Sequence, residues 1–284
     1  MTPPPVSPFE ALLPSAMAEK AEEIGVKKAG LGVVELLGLG VLAGAFVAVG
    51  AIFATVVGAG ANGLPFGVVK LLSGVAFSVG LILIVVGGGE LFTGNNLIIM
   101  AFASRRIGLP ALLRNWALVY LGNFAGSVAT AALVFLGGQY TFGGGAVGLQ
   151  MLAMGEAKSA LGFVQALVLG MLCNAIVCMA VWMTYSARTT VDKIAAIIPP
   201  IAAFVAAGFE HSVANMYFIP VALMVKAGAP AAFFETIRKT PADFPHLTMQ
   251  NFLLANLLPV TIGNIVGGAV MVGMMYWAIY RRRA

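Results

Sequence analysis

The fold class predicted is an all-α integral membrane protein, six transmembrane helices in an inverted 3+3 repeat with helices 2 and 5 broken. Three observations predict it. First, charge is scarce: of 284 residues, 16 are Lys or Arg and 11 are Asp or Glu, 10% of the chain, against roughly 25% in an average soluble domain. Second, 60% of the residues are hydrophobic and 35 more are Gly, which leaves too little polar surface to coat a water-soluble globule. Third, uncharged runs of 34 (36–69), 41 (115–155), 29 (159–187) and 37 residues (244–280) are each long enough for a span, which takes about 20 residues. Four shorter runs form two pairs, one interrupted by Glu90 and the other by Glu210.

Taken in order, residues 1–8 are proline-rich, and 9–28, with Glu10, Glu19, Lys20, Glu22, Glu23, Lys27 and Lys28, read as an amphipathic helix that the mature chain keeps. Residues 1–28 thus form a cytoplasmic N-terminal segment, 29–280 the six-helix channel domain and 281–284 a basic cytoplasmic tail. The second crossing spans about 66–104 and the fifth about 192–226. Eleven basic residues fall on the side shared by the two termini and five on the other. Short loops rich in Lys and Arg stay inside, so both termini are expected in the cytoplasm of a cell whose inner membrane holds the protein. The same reading takes the net charge of +5 as orientation rather than nucleic-acid binding. Cys173 and Cys178, five apart in an apolar run, point to different helix faces and read as packing residues.

A repeat lies within the apolar runs. An offset of 130 puts Gly40 on Gly170 and Gly44 on Asn174, while Asn115 and Asn123 are eight apart, as are Asn256 and Asn264. Glu90 and Glu210 fall in corresponding interruptions. Three crossings per half is odd, so the second half enters the membrane from the opposite side. Inverted repeats with interrupted helices in matching places mark transport proteins, whose site lies where the broken ends meet.

The first interruption reads Gly-Gly-Gly-Glu90-Leu91-Phe92-Thr93-Gly94-Asn95-Asn96 and the second Gly208-Phe209-Glu210-His211-Ser212-Val213-Ala214-Asn215-Met216. Glycines allow the backbone to leave a helix, and Thr or Asn can cap the next one. Irregular backbone at membrane depth survives only where protein buries it or it lines a cavity. His211 is the only histidine inside a crossing and faces Thr93 of the matching interruption. Glu90 and Glu210 are expected to be structural, accepting hydrogen bonds from the unwound backbone.

Leu91-Phe92-Thr93, the run from Gly208 to Met216, Trp182 and the Tyr185-Ser186-Ala187-Arg188 ending of the fourth crossing resemble the formate/nitrite transporter family over about residues 30–280. The resemblance implies an aquaporin-like protomer of six helices, assembled as a homopentamer with one pathway per protomer. Its central histidine falls on His211, its loop threonine on Thr93, its vestibule lysine on Lys158 and its pathway asparagines on Asn174 and Asn264. Its apolar constrictions fall on Phe77, Leu81 and Phe204 toward the cytoplasm, and on Leu91, Phe92 and Val177 toward the outside. The family's formate channels have Asp and then Ser after the shared Leu-Phe-Thr frame, whereas this chain has Glu90 before it and Gly94-Asn95-Asn96 after it.

These expectations define a channel or carrier for a small monovalent anion, formate first and nitrite or hydrosulfide as the alternatives. The anion moves with a proton or as the neutral acid, because an unpaired charge in a dry ring of Phe and Leu is heavily penalised. Lys158 would concentrate anions at the outer mouth, and His211 would donate a hydrogen bond or a proton. No cofactor is called for. A metalloenzyme needs more ligands than one membrane histidine and two cysteines supply, and the paired Asn-Pro-Ala motifs expected of a water or glycerol channel do not occur.

Overall fold

The computed structural model describes residues 10–61 and 63–282, and no strand occurs among them. The proline-rich residues 1–8 and the end of the 281–284 tail lie outside this range. α1 (Pro14–Ala29) opens with a proline in its first turn, where no helical N–H is lost, and ends on Lys27 and Lys28. It is built into the body of the protein, with Met17, Ala18, Ala21, Glu22 and Gly25 buried. α2 (Val33–Gly58) and α3 (Phe66–Gly87) follow, then the short α4 (Phe92–Ala103) and α5 (Leu109–Leu136). The second half has α6 (Ala146–Ser159), α7 (Phe163–Ser186), α8 (Thr190–Ala206), α9 (Ser212–Gly228), a short α10 (Ala231–Thr236) and the long α11 (Asn251–Tyr280).

Five of these helices, α2, α3, α5, α7 and α11, are long and apolar enough to cross a membrane. α11 relaxes into π-helical turns at Asn251–Leu257 and Val266–Met274, local widenings that frequently mark functional sites. Between α3 and α4, Gly88 turns the chain with φ 95°, and between α8 and α9 Gly208 does so with φ 73°. An L side chain at either position would be strained.

α2 packs on α3 and α5, α7 packs on α8 and α11, and α3 meets α8. Lipid tails are as apolar as leucine, so helix pairs in a membrane gain from close backbone approach rather than from escaping water. Gly-x-x-x-Gly pairs on α2, α5 and α11 serve this purpose. A methyl group on Gly126 of α5 would collide with the carbonyl oxygen of Val41 on α2, and one on Gly267 of α11 with that of Met171 on α7. Gly122 and Gly263, one turn earlier, stand in the same way against Leu37 and Leu167. Gly38 has open space beside it.

Gly126→Val and Gly267→Val should each force two helices apart and abolish the folded protein or lower its thermal transition in detergent by at least about 5 °C, an overpacking cost of roughly 2 kcal/mol or more. Gly38→Val should shift it by under about 2 °C. Equal transitions for all three variants would refute the close-contact account.

Candidate functional site

Where the chain leaves the helix at Gly88 and Gly208, its backbone groups are buried and need partners. Asn123 of α5 supplies three: its Oδ1 accepts from Phe92 N at 2.9 Å, and its Nδ2 donates to Gly40 O at 2.8 Å and Glu90 O at 2.9 Å. Asn264 of α11 repeats the set, with Ser212 N at 2.9 Å, Gly170 O at 2.8 Å and Glu210 O at 3.0 Å. Glu90 N donates to Leu39 O at 3.1 Å, and Glu210 N to Leu169 O at 3.3 Å.

Around each carboxylate a second matching set forms. Glu90 pairs with Lys28 Nζ at 2.9 Å and accepts from Asn95 Nδ2 at 2.6 Å. Asn95 also donates to Asn115, whose own amide holds the Lys28 carbonyl at 3.0 Å. Glu210 pairs with Lys158 Nζ at 2.7 Å and accepts from Asn215 Nδ2 at 2.6 Å. Asn215 donates to Asn256, which holds the Lys158 carbonyl at 2.9 Å. Each buried charge therefore meets an opposite charge and hydrogen-bond donors, the condition under which burial is tolerated.

Between the two sets lie Thr93 and His211, with Oγ1 and Nε2 2.9 Å apart and both residues buried. His211 also caps α9, its Nδ1 accepting from Ala214 N at 3.1 Å. A nitrogen that accepts carries no proton, so this network assigns the ring as the neutral Nε2–H tautomer, with its one donor aimed at Thr93. The N-termini of α4 and α9 meet here, presenting positive dipole ends to the same point. Asn174 Nδ2 braces the junction by donating to Thr93 O at 3.2 Å, Asn96 Oδ1 at 2.8 Å and Asn264 O at 2.7 Å.

Two cavities approach this centre. One, about 360 Å³, is lined by Lys158, Glu210, His211, Phe77, Phe204 and Phe218, among others. The other, about 340 Å³, is lined by Lys28, Glu90, Leu81, Leu91, Gly94 and Val181, among others. Phe77 and Phe204 touch edge to face with ring centroids 5.7 Å apart, and Phe204 lies 6.0 Å from the His211 ring.

The model of the formate/nitrite transporter family matches residues 15–278. The chain belongs to that family. It is similar to formate channel FocA of Escherichia coli strain K12, 44% identical over 276 residues and 97% of each chain, and to that of Haemophilus influenzae, 40% identical over 264 residues and 93% of each. Among solved structures it is similar to a pentameric formate channel with formate bound, at TM-score 0.84 and 46% identity, covering 87% of this chain and 97% of that one. As a member of the formate/nitrite transporter family, the chain is a multi-pass membrane transport protein.

Within this family member the structure sorts the sequence-derived residues differently in three respects. Phe77 and Phe204 line the Lys158 cavity, whereas Leu81 and Leu91 line the Lys28 cavity. Phe92 stacks edge to face on Trp116 and Tyr120, and Phe92 and Val177 line neither cavity. The side chains of Glu90 and Glu210 take lysine and asparagine side chains, because Asn123 and Asn264 already hold the unwound backbone. Asn174 and Asn264 line neither cavity, their amides being spent on the frame.

Sequence reasoning missed Lys28 as the counterpart of Lys158. The signal was available: the 130-residue offset also places Gly25, Lys28, Leu31 and Gly32 on Gly155, Lys158, Leu161 and Gly162.

Asn264→Ala should strand two buried backbone groups, Ser212 N and Glu210 O, each worth about 1–3 kcal/mol, while Gly170 O keeps its bond within α7. The thermal transition of the purified protein should drop by at least roughly 4 °C. An unchanged transition would show that the backbone at Glu210 finds other partners.

Proposed function

We propose that the protein moves formate across the cell inner membrane together with one proton, through a pathway that joins the two cavities at His211 and Thr93. One observation carries this reading: a buried hydrogen-bond donor pair stands between two cavities of nearly equal size, each with its own lysine–glutamate pair. The formate channels of two bacteria at 40–44% identity support the substrate. Nitrite and hydrosulfide remain the competing solutes of the same site.

In this reading the chain crosses the membrane six times as an inverted repeat, the crossings formed by α3 with α4 and by α8 with α9 being broken. The bond-for-bond match of the Asn123 and Asn264 sets supports it. Both termini are cytoplasmic, so the Lys28 cavity opens inward and the Lys158 cavity outward. Five copies assemble, by analogy with the pentameric formate channel of similar structure. The protein acts as a transporter and not as an enzyme.

An anion arriving from either cavity gives up water at Phe77 and Phe204, or at Leu81 and Leu91, where bare charge is disfavoured. His211 Nε2–H and the Thr93 hydroxyl replace the lost hydration by donating to the carboxylate oxygens. A neutral imidazole giving up its only N–H proton would become an imidazolate, so the proton that travels with formate is drawn from the bulk as hydronium, through the water of the cavity, and leaves only water behind. Formic acid then passes the apolar section without net charge.

Proteoliposome uptake of formate, nitrite, hydrosulfide and lactate at two pH values tests the assignment. Formate uptake should rise with external acidity and produce little current. Large formate currents with no response to a proton gradient would overturn it. His211→Phe should lose uptake by at least about 100-fold while remaining assembled, at a capping cost of about 1 kcal/mol. His211→Asn, which can still cap α9 and donate, should keep flux within about tenfold. Phe204→Ala or Leu81→Ala should wet the narrow section, raising anion current and flattening its pH dependence; unchanged current would remove those residues from the barrier.

A further inference from the structure

The two cavities differ in charge. In the Lys28 cavity the charged lining residues are Lys28 and Glu90, which pair with each other. In the Lys158 cavity Lys158 and Glu210 pair in the same way, but Lys70 lines the wall as well. Lys70 stands in the second turn of α3, with its ammonium 5.4 Å from the centre of the Phe66 ring. No carboxylate among the described residues forms a salt bridge with it. An ion pair acts at a distance only as a dipole, whereas an unpaired cation keeps its full field. Lys158 is thus a poor candidate for concentrating anions, since Glu210 cancels its charge 2.7 Å away.

We propose that Lys70 is the residue that attracts anions into the Lys158 cavity, giving the two mouths of the pathway unequal apparent affinities for the same solute. The ordinary alternative is a lysine that anchors α3 at the membrane surface by reaching for water. That alternative does not require Lys70 to line the cavity holding His211, and it leaves the potential inside that cavity unaffected by the lysine's charge. The inference rests on the proposed anion pathway, so its test includes a reading that needs no transport.

A cysteine introduced at Ala157, exposed on the cavity wall, reports the local potential through its relative rates of reaction with anionic and cationic methanethiosulfonate reagents. Cys173 and Cys178 are fully buried and do not compete. At about 10 mM salt, Lys70→Gln should lower the anionic-to-cationic rate ratio about fivefold, and Lys70→Arg should leave it unchanged. At about 1 M salt the difference should vanish. Gln150→Cys, on the same wall, serves if Ala157→Cys does not fold. In proteoliposomes, Lys70→Gln should raise the half-saturating formate concentration about threefold for entry from the Lys158 side, with maximal rate and entry from the Lys28 side unchanged. An unmoved reagent ratio at low salt, or a shift that survives high salt, overturns the role of Lys70. A falling ratio in a protein that does not carry formate would refute the substrate and leave Lys70 standing.

Discussion

Backbone that leaves a helix inside a membrane must find every hydrogen bond within the protein, and two asparagines meet that demand here. Asn123 and Asn264 each bind one N–H and two carbonyls, tying a helix start, the carbonyl of a buried glutamate and a neighbouring helix into one node. An aspartate could accept but not donate, and a leucine could do neither. Each node holds the start of α4 or α9 in place, and those starts carry Thr93 and His211 to within 2.9 Å of each other. The glycine contacts between α2 and α5 and between α7 and α11 bring each asparagine close enough to reach Gly40 or Gly170.

The glutamates belong to a different layer. Each is held by a lysine from α1 or α6, so the helices preceding each half close over the cavities and complete an ion pair in the wall of each. The arrangement keeps water-facing polarity at both entrances while Phe77, Phe204, Leu81 and Leu91 keep the interior apolar. Along the proposed pathway a solute meets donors at the mouth, a dry section, and donors again at the centre. That sequence suits a small acid able to exist with or without its charge.

Much of this was legible before any coordinates. Glu90 and Glu210 stood out because a carboxylate inside an apolar run is costly, and the spacing of Asn115 from Asn123 and of Asn256 from Asn264 announced the repeat. The facing of the apolar residues was not legible. A helix that is apolar all round has no phase to read, and Phe77 and Leu81 share a face one turn apart, so only their depth, about 6 Å along the axis, decides which cavity each lines. The burial of α1 was hidden for another reason: its polar partners, Asn95 and Glu90 for Lys28 and Ser104 and Arg281 for Glu22, come from far along the chain.

The double employment of His211 has a mechanical consequence. Its Nδ1 terminates α9 and its Nε2 meets the Thr93 hydroxyl. A second proton on the ring would point an N–H at the N–H of Ala214, so the ring could gain charge only by releasing the first turn of the helix. Titration at the centre of the pathway is therefore also a displacement of backbone, and the helix end works as a spring against which any proton bound there must push.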